Sequence, residues 1–329
     1  MTMSLSSVIK EIVHGAPGVE ALAFDEAQQL YAAMLDGGVP ELELGAILAA
    51  LQMKSEGLEE LLGFYQSLID RLYQLHPPFE GVRTVILPSY HGTYQQPNLL
   101  PLLALWLRKL GVPVLMHGSL EGGGRVASAY VLRELGFMPC ASLAQAQQLL
   151  QKEKFAFVPT AVLSPGLANL LGLRNRLGIM NSAHTLAALI DPFGGESLRV
   201  VGGNSPGMLN MMSDFMLATD ATGLLLHNAD GEPVVDPARR PRLEFFFQGK
   251  RQTLFEEEMG PLRALTNLPP RCDAQSTAVW TQQVVDGELP LPLPLVNQLA
   301  CCLYGAGMAD DLIQAKAIVA LETGSLSTV

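Results

Sequence analysis

Apolar positions recur at helical spacing through the first 75 residues and then give way to short β-branched runs alternating with helices. Ala27 to Leu35 follows Asp25, a candidate helix N-cap, and Gly37-Gly38 supplies a stop. Pro40 opens a second helix that places Leu44, Ile47, Leu48 and Leu51 on one face, and Leu58, Leu61, Leu62, Tyr65, Leu68, Ile69 and Leu72 continue the period beyond Gly57. This predicts a small bundle whose apolar faces, around Leu44, Leu48, Leu61 and Tyr65, also offer a dimerisation surface. After His76-Pro77-Pro78 the texture changes. Thr84 to Leu87, ending at Pro88, reads as a strand, and a long apolar helix follows from about Leu99 to Leu110. Val112 to Met116, closed by His117-Gly118, is the next strand, with a helix from about Val126 to Leu135. Phe155 to Pro159, Leu198 to Gly202 and Thr222 to His227 read as further strands, Asn228 to Arg242 as a loop, and the prolines of Leu289 to Pro294 precede a last helical region ending near Gly324. Strands alternating with helices at this spacing imply a mainly parallel sheet with crossover helices.

Composition narrows the function classes. The 329 residues are 49% hydrophobic and 16% charged, enough for one large domain with a smaller companion. No apolar run reaches the roughly 18 to 20 residues of a spanning helix, and Met1 to Ser7 has no basic segment leading into an apolar one, so the chain reads as cytoplasmic, without a membrane partner. The formal charge of −11 argues against strong general attraction to nucleic acid but leaves room for a local basic groove. Glu256-Glu257-Glu258 reads as a solvated face. Cys140, Cys272, Cys301 and Cys302 form no Cys-x-x-Cys pair and read as reduced thiols, and the six histidines show no zinc spacing. Met208, Met211, Met212 and Met216 follow helical spacing and read as core, and neither Ser164-Pro165-Gly166 nor Gly203 to Gly207 supplies a nucleophile elbow.

Several separated motifs, in order, carry a resemblance. They are Leu35 to Pro40, Ala46 to Gly57, Glu59 to Gly63, Gly111-Val112 through His117-Gly118, Ser128 to Gly136, Arg174 to Gly178, Leu189 to Pro192, and Asp230-Gly231. Together they resemble the anthranilate phosphoribosyltransferases and class II pyrimidine nucleoside phosphorylases. The resemblance implies a small all-helical, dimerising domain (1–76 and about 165–194) and a larger α/β domain (77–164 and 195–329) with a mainly parallel central sheet.

Against that family the chemistry is depleted. The family's diphosphate loop, Gly-Thr-Gly-Gly-Asp, corresponds to Pro88 to Thr93, whose bulk suits a phosphate cradle poorly. Its Asn-x-Ser-Thr keeps only the Asn, as Asn98, and the Lys before His-Gly is Met116. The magnesium-holding Asp-Glu that follows Asp-Gly-Leu is replaced by Pro233-Val234, which offer no side-chain oxygen to a hard cation. No catalytic residue, metal or cofactor is therefore expected.

Arg174 matches the family's Arg that contacts the aromatic acid substrate, Arg176 is an added base, and Met180-Asn181-Ser182-Ala183-His184 replaces Arg-Thr-x-x-Asn. This pattern is similar to a non-catalytic branch known for sequence-independent nucleic-acid binding, although Thr93 to Gln96 lacks that branch's basic residues. The candidate contacts for nucleic acid, single- or double-stranded, or for an anion are Arg174, Arg176, Arg125, His117, Gly118, Asn181, Ser182, His184 and Asn98, in a basic groove near the hinge. Arg125, after Gly122-Gly123-Gly124, stands where a turn can present an anion to a helix start, or is plain loop. Arg174 and Arg176 could instead pair with acids across the hinge. Two alternatives remain open: an active glycosyl- or phosphoribosyltransferase with an unknown acceptor, and a regulatory protein that binds a small anion or nucleotide.

Overall fold

The computed structural model describes residues 22–94, 96–258 and 268–324. The reading of Met1 to Ser7, the start of the helical segment and Gln95 lie outside the described residues. Along the chain come α1 (Phe24–Leu35), α2 (Glu41–Lys54), α3 (Leu58–Ile69), β1 (Thr84–Ser89), α4 (Leu100–Lys109), β2 (Val114–Gly118), α5 (Ser128–Glu134), α6 (Leu143–Glu153) and β3 (Phe155–Pro159). Next are α7 (Thr160–Leu163), α8 (Pro165–Gly172), α9 (Arg174–Leu177), α10 (Ser182–Ala187), β4 (Ser197–Gly203), α11 (Pro206–Ala218) and β5 (Gly223–His227). The last are β6 (Leu243–Phe247), β7 (Lys250–Phe255), α12 (Ala274–Val285), α13 (Leu293–Ala306) and α14 (Leu312–Thr323).

The chain forms two compact units. One runs up to Tyr73 and takes in Thr160–Ile190, and the other comprises Gln74–Pro159 and the chain from Asp191 onward. Thus α7 goes with the helical unit and Asp191-Pro192-Phe193 with the α/β unit.

In the helical unit α1 packs on α3, where the Tyr31 and Phe64 rings stack with centroids 4.8 Å apart. Ile47, Leu48, Leu51, Leu61 and Leu68 are fully buried around them. Leu48 and Leu61 are therefore core, and of the faces expected to pair copies only Leu44 and Tyr65 keep exposure. The cap of α1 is Ala23, not Asp25. Asp25 and Glu26 fall in the first turn, where carboxylates face the positive end of the helix dipole.

In the α/β unit the strands run in the order β3-β2-β1-β4-β5-β6-β7. The ladders from β3 through β5 are parallel, whereas β6 and β7 add an antiparallel edge. The β6–β7 turn, with Gln248 at φ 50° and Gly249 at φ 64°, has the two left-handed residues of a tight hairpin. Two strands run further than their sequence patterns suggest, because β1 includes Pro88 and β2 includes His117 and Gly118. The ladder between β1 and β4 ends at Ile86, so on that side the missing Pro88 N–H interrupts nothing. Helix α4, buried from Leu100 to Leu107, packs on β1, β2 and β3 and against α12 and α13. Of the methionine set, Met212 and Met216 are core, while Met208 and Met211 are half-buried. The four cysteines are free thiols, and no described helix is long and apolar enough to cross a membrane.

Strand order reverses between β1 and β4, since the chain moves from β1 outward to β3 and then returns to the other side of β1. Open parallel sheets bind ligands at the carboxyl ends of the strands flanking such a reversal. The turn after β1 and the loop after β5 supply the groups there.

Candidate functional site

At the carboxyl end of β1 the chain turns through Tyr90, His91 and Gly92, with Gly92 at φ 62° in the left-handed region. The amides of His91 and Gly92 both donate to Glu232 Oε1, at 3.0 and 2.6 Å. Glu232 comes from the loop after β5 and is fully buried. Burial pushes its carboxyl up to about 7, and Asp230 adds to this, while the Gly92 and His91 amides and the nearby Ser89 hydroxyl pull the other way. Its Oε2 is buried without a hydrogen bond. The Glu232 backbone is held in place by its neighbours. Asn228 Nδ2 donates to Val234 O at 2.6 Å, Gln298 Nε2 donates to Pro233 O at 2.9 Å, and Val235 N donates to Gln298 Oε1 at 2.9 Å.

The expected contact residues of this unit surround the turn, each already engaged. His117 is fully buried, with Nδ1 2.8 Å from Tyr90 Oη and Nε2 without a hydrogen bond. Burial pushes the imidazole down to about 3, so it is neutral at physiological pH. A Cβ on Gly118 would stand 2.0 Å from Ser89 O, so the strand pair admits only glycine there. Asn98 is also fully buried and donates to Val126 O at 2.9 Å and Ser128 Oγ at 3.1 Å, and Ser128 Oγ meets Ser89 Oγ at 2.7 Å. Arg125 reaches Asp230 at 3.1 Å and Gly92 O at 3.5 Å.

The positions of the family's magnesium pair do not fit a cation. Pro233 and Val234 have no side-chain oxygen, their carbonyls are the ones bound by Gln298 and Asn228, and Asp230 is paired with Arg125. No cluster of three or more His, Cys, Asp or Glu residues suited to a metal occurs among the described residues.

The other five expected residues lie in the helical unit. Asn181 caps α10: its Oδ1 accepts from Ala183 N at 3.0 Å, its Nδ2 donates to Leu170 O at 3.0 Å, and its N donates to His184 Nδ1 at 3.3 Å. Asn181, Ser182 and His184 are all buried. They form a helix cap, not an exposed polar face. Ser182 lies beside Glu56, whose carboxyl burial pushes above the usual carboxylate range. Arg176 pairs with Glu41 at 3.0 Å, within its own unit and not across a hinge, and both side chains are open to solvent, at 64% and 80% exposure. Half-buried Arg174, on the same short helix, makes no ion pair or side-chain hydrogen bond with the described residues. Arg176 and Glu41 also edge a cleft of about 290 Å³ lined by Met34, Leu44, Leu170, Leu173 and Leu177.

Glu232 is the residue that sequence reasoning missed as a site member. The signal was an acid set between Gly231 and Pro233, directly before the apolar pair Val234-Val235.

Residues 6–72 match the helical bundle domain of the glycosyl transferase family. The chain is 37% identical over 311 residues to YbiB of Escherichia coli K12, a protein described as uncharacterized, covering 94% of this chain and 97% of YbiB. It is 26% identical over 324 residues to the anthranilate phosphoribosyltransferase of Methanopyrus kandleri, covering 97% and 92% of the two chains. Among solved structures, anthranilate phosphoribosyltransferase from Thermus thermophilus superposes with a TM-score of 0.77 at 22% identity, covering 96% of this chain and 94% of that one. The Saccharomyces cerevisiae enzyme, in complex with PRPP and Mg, gives 0.73 at 14% identity, covering 98% and 93%. By its helical bundle, its relationship to YbiB and its two-unit architecture, the chain belongs to the anthranilate phosphoribosyltransferase-like glycosyltransferase superfamily.

Proposed function

We propose that this protein has left phosphoribosyl transfer behind and binds nucleic acid without sequence preference, through phosphate contacts that include Arg174 and Arg176. The observation that carries the first half is Glu232. The turn amides that would face a diphosphate donate instead to this carboxylate, and the carbonyls at the metal positions are engaged by Gln298 and Asn228. Transfer of a group that leaves as diphosphate needs its negative charge neutralised, and here a carboxyl side chain occupies that place. An active transferase with another acceptor meets the same obstacle, since the donor half of the reaction is unchanged.

The second half rests on α9. Among the described residues Arg174 has no acidic partner and Arg176 has an exposed one that solvent and salt weaken, so both guanidinium groups are available to phosphate oxygens. Contacts of this kind position a backbone without reading bases. Asn181, Ser182 and His184 cap the neighbouring α10, and Asn181 ties it to Leu170 of α8. The protein works as a homodimer: Leu42 and Met53 of α2 are 83% and 88% exposed, and the apolar cleft beside α9 leaves more nonpolar surface on the helical unit.

The test is fluorescence anisotropy of a labelled single-stranded oligonucleotide across a salt series. Binding that weakens steeply with salt and varies little with sequence supports the proposal. Absence of binding at low salt defeats it, and transfers weight to a small-anion or nucleotide ligand.

A further inference from the structure

A cavity of about 550 Å³ in the α/β unit collects Arg108, Lys109, Lys152 and Lys154 around a single acid, Glu153. It lies at the amino ends of β2 and β3, since Gly111 and Lys154 stand just ahead of Val114 and Phe155. The strands from β3 to β1 are parallel, so this is the opposite end of the sheet from the turn after β1. Three helices finish here: Lys109 is the last residue of α4, Glu153 of α6 and Val285 of α12. Two of the cations serve those ends. Arg108 Nε donates to Glu153 O at 2.8 Å and its Nη2 to Glu153 Oε2 at 2.6 Å, while Lys109 Nζ donates to Val285 O at 2.7 Å. Each helix end carries about half a negative charge, so the three ends and Glu153 offset roughly two and a half of the four positive charges. The surplus rests on Lys152 and Lys154. Neither ammonium group has an ion pair or a hydrogen bond among the described residues; Lys152 is exposed, and Lys154 Nζ stands 5.3 Å from the centre of the Phe79 ring. In a chain of net charge −11 this surplus is local, and it borders an apolar wall of Leu105, Phe137 and Val285.

We propose that this cavity binds a nucleoside di- or triphosphate, with its phosphates on Lys152 and Lys154 and its base and sugar against the apolar wall. Lysine ammonium groups hold phosphate as point charges, and the volume is that of a small-molecule site. The site goes beyond the nucleic-acid reading, because Arg174 and Arg176 belong to the helical unit and take no part in it.

The experiment is isothermal titration calorimetry of the full chain with ADP at low salt, without divalent cations. Wild type should bind ADP with a Kd of about 0.1 mM or tighter, and adenosine and inorganic diphosphate each at least about tenfold more weakly. Lys152→Gln/Lys154→Gln should weaken ADP at least about tenfold, whereas Arg174→Ala/Arg176→Ala should leave it within about twofold. Absence of ADP binding to wild type, or undiminished binding by the lysine variant, overturns the proposal. Diphosphate that binds as tightly as ADP overturns the nucleotide assignment, since the apolar wall then contributes nothing. A lysine variant that loses oligonucleotide affinity, from a wild type indifferent to ADP, gives the cavity to nucleic acid instead. Should the double variant fail to fold, Lys152→Glu on its exposed side chain carries the test: ADP affinity should fall at least about threefold, and an unchanged affinity would end the proposal.

Discussion

Replacing Glu232 by Gln should change how stability depends on pH, and the size of the change follows from the site. Burial lifts the Glu232 carboxyl from an ordinary 4.5 to about 7. The folded protein therefore holds a proton between about pH 4.5 and 7 that the unfolded chain has released, and the contribution of this group to stability falls as pH rises through that window. The fall amounts to about 3 kcal/mol, complete above pH 7 and absent below 4.5. His117 acts in the opposite sense. Its imidazole drops from 6.5 to about 3, so the unfolded chain binds the extra proton between those values, and stability rises with pH across them. In the wild type the two slopes oppose each other from about pH 4.5 to 6.5. In Glu232→Gln only the His117 slope remains. The variant should gain on the wild type by about 3 kcal/mol between pH 4.5 and 7.5, after a pH-independent loss of about 1 to 3 kcal/mol for placing an amide donor where Oε2 has no partner. Urea unfolding followed by circular dichroism at pH 4.5, 5.5, 6.5 and 7.5 measures the difference directly, and every other carboxylate cancels from it. Parallel stability curves for the two proteins would refute the burial argument.

Further expectations concern both units. Changing Arg174 and Arg176 together to Ala should weaken oligonucleotide binding about equally for all sequences and flatten the salt slope by roughly one per lost contact, whereas Arg→Lys should restore only part of the affinity; a double variant that keeps both affinity and slope would place the contacts elsewhere. Asn181→Ala removes the cap of α10 and a bond to Leu170, and should lower stability by about 1 to 2 kcal/mol in chemical unfolding; a change within about 0.3 kcal/mol would mean that the cap is dispensable. Light scattering should report twice the 35.4 kDa monomer, and a monomer at every concentration would contradict the assembly proposed for the helical unit.

What the sequence made legible was whatever depends on period. Helical spacing located α1, α2 and α3, and short apolar runs bounded by turn residues located β1 to β5, the length of the run and its flanking Gly and Pro separating strand from helix. The β6–β7 hairpin escaped because its turn is Gln248-Gly249, lacking the Asn or Asp that usually marks a tight turn, and because Lys250, Arg251 and Gln252 open the exposed edge strand. Helix α6 escaped because its surface is polar and only Ala146 and Leu150 are buried. Among site residues, the Asn181-Ser182-Ala183-His184 cluster was visible as polar residues, but its role as a cap needed the backbone geometry, since His in place of Glu or Gln hides the usual capping pattern. The Glu232 contact could not be read from spacing at all, because the sheet joins it to amides 140 and 141 residues away.

The measurement that bears most directly on the account is phosphoribosyl transfer itself. Purified protein incubated with phosphoribosyl diphosphate, magnesium and anthranilate, beside the Thermus thermophilus enzyme as a positive control, should leave anthranilate fluorescence unchanged while the control consumes it. A steady loss of fluorescence that scales with the amount of this protein would contradict the claim that Glu232, Pro233 and Val234 have closed the family's reaction.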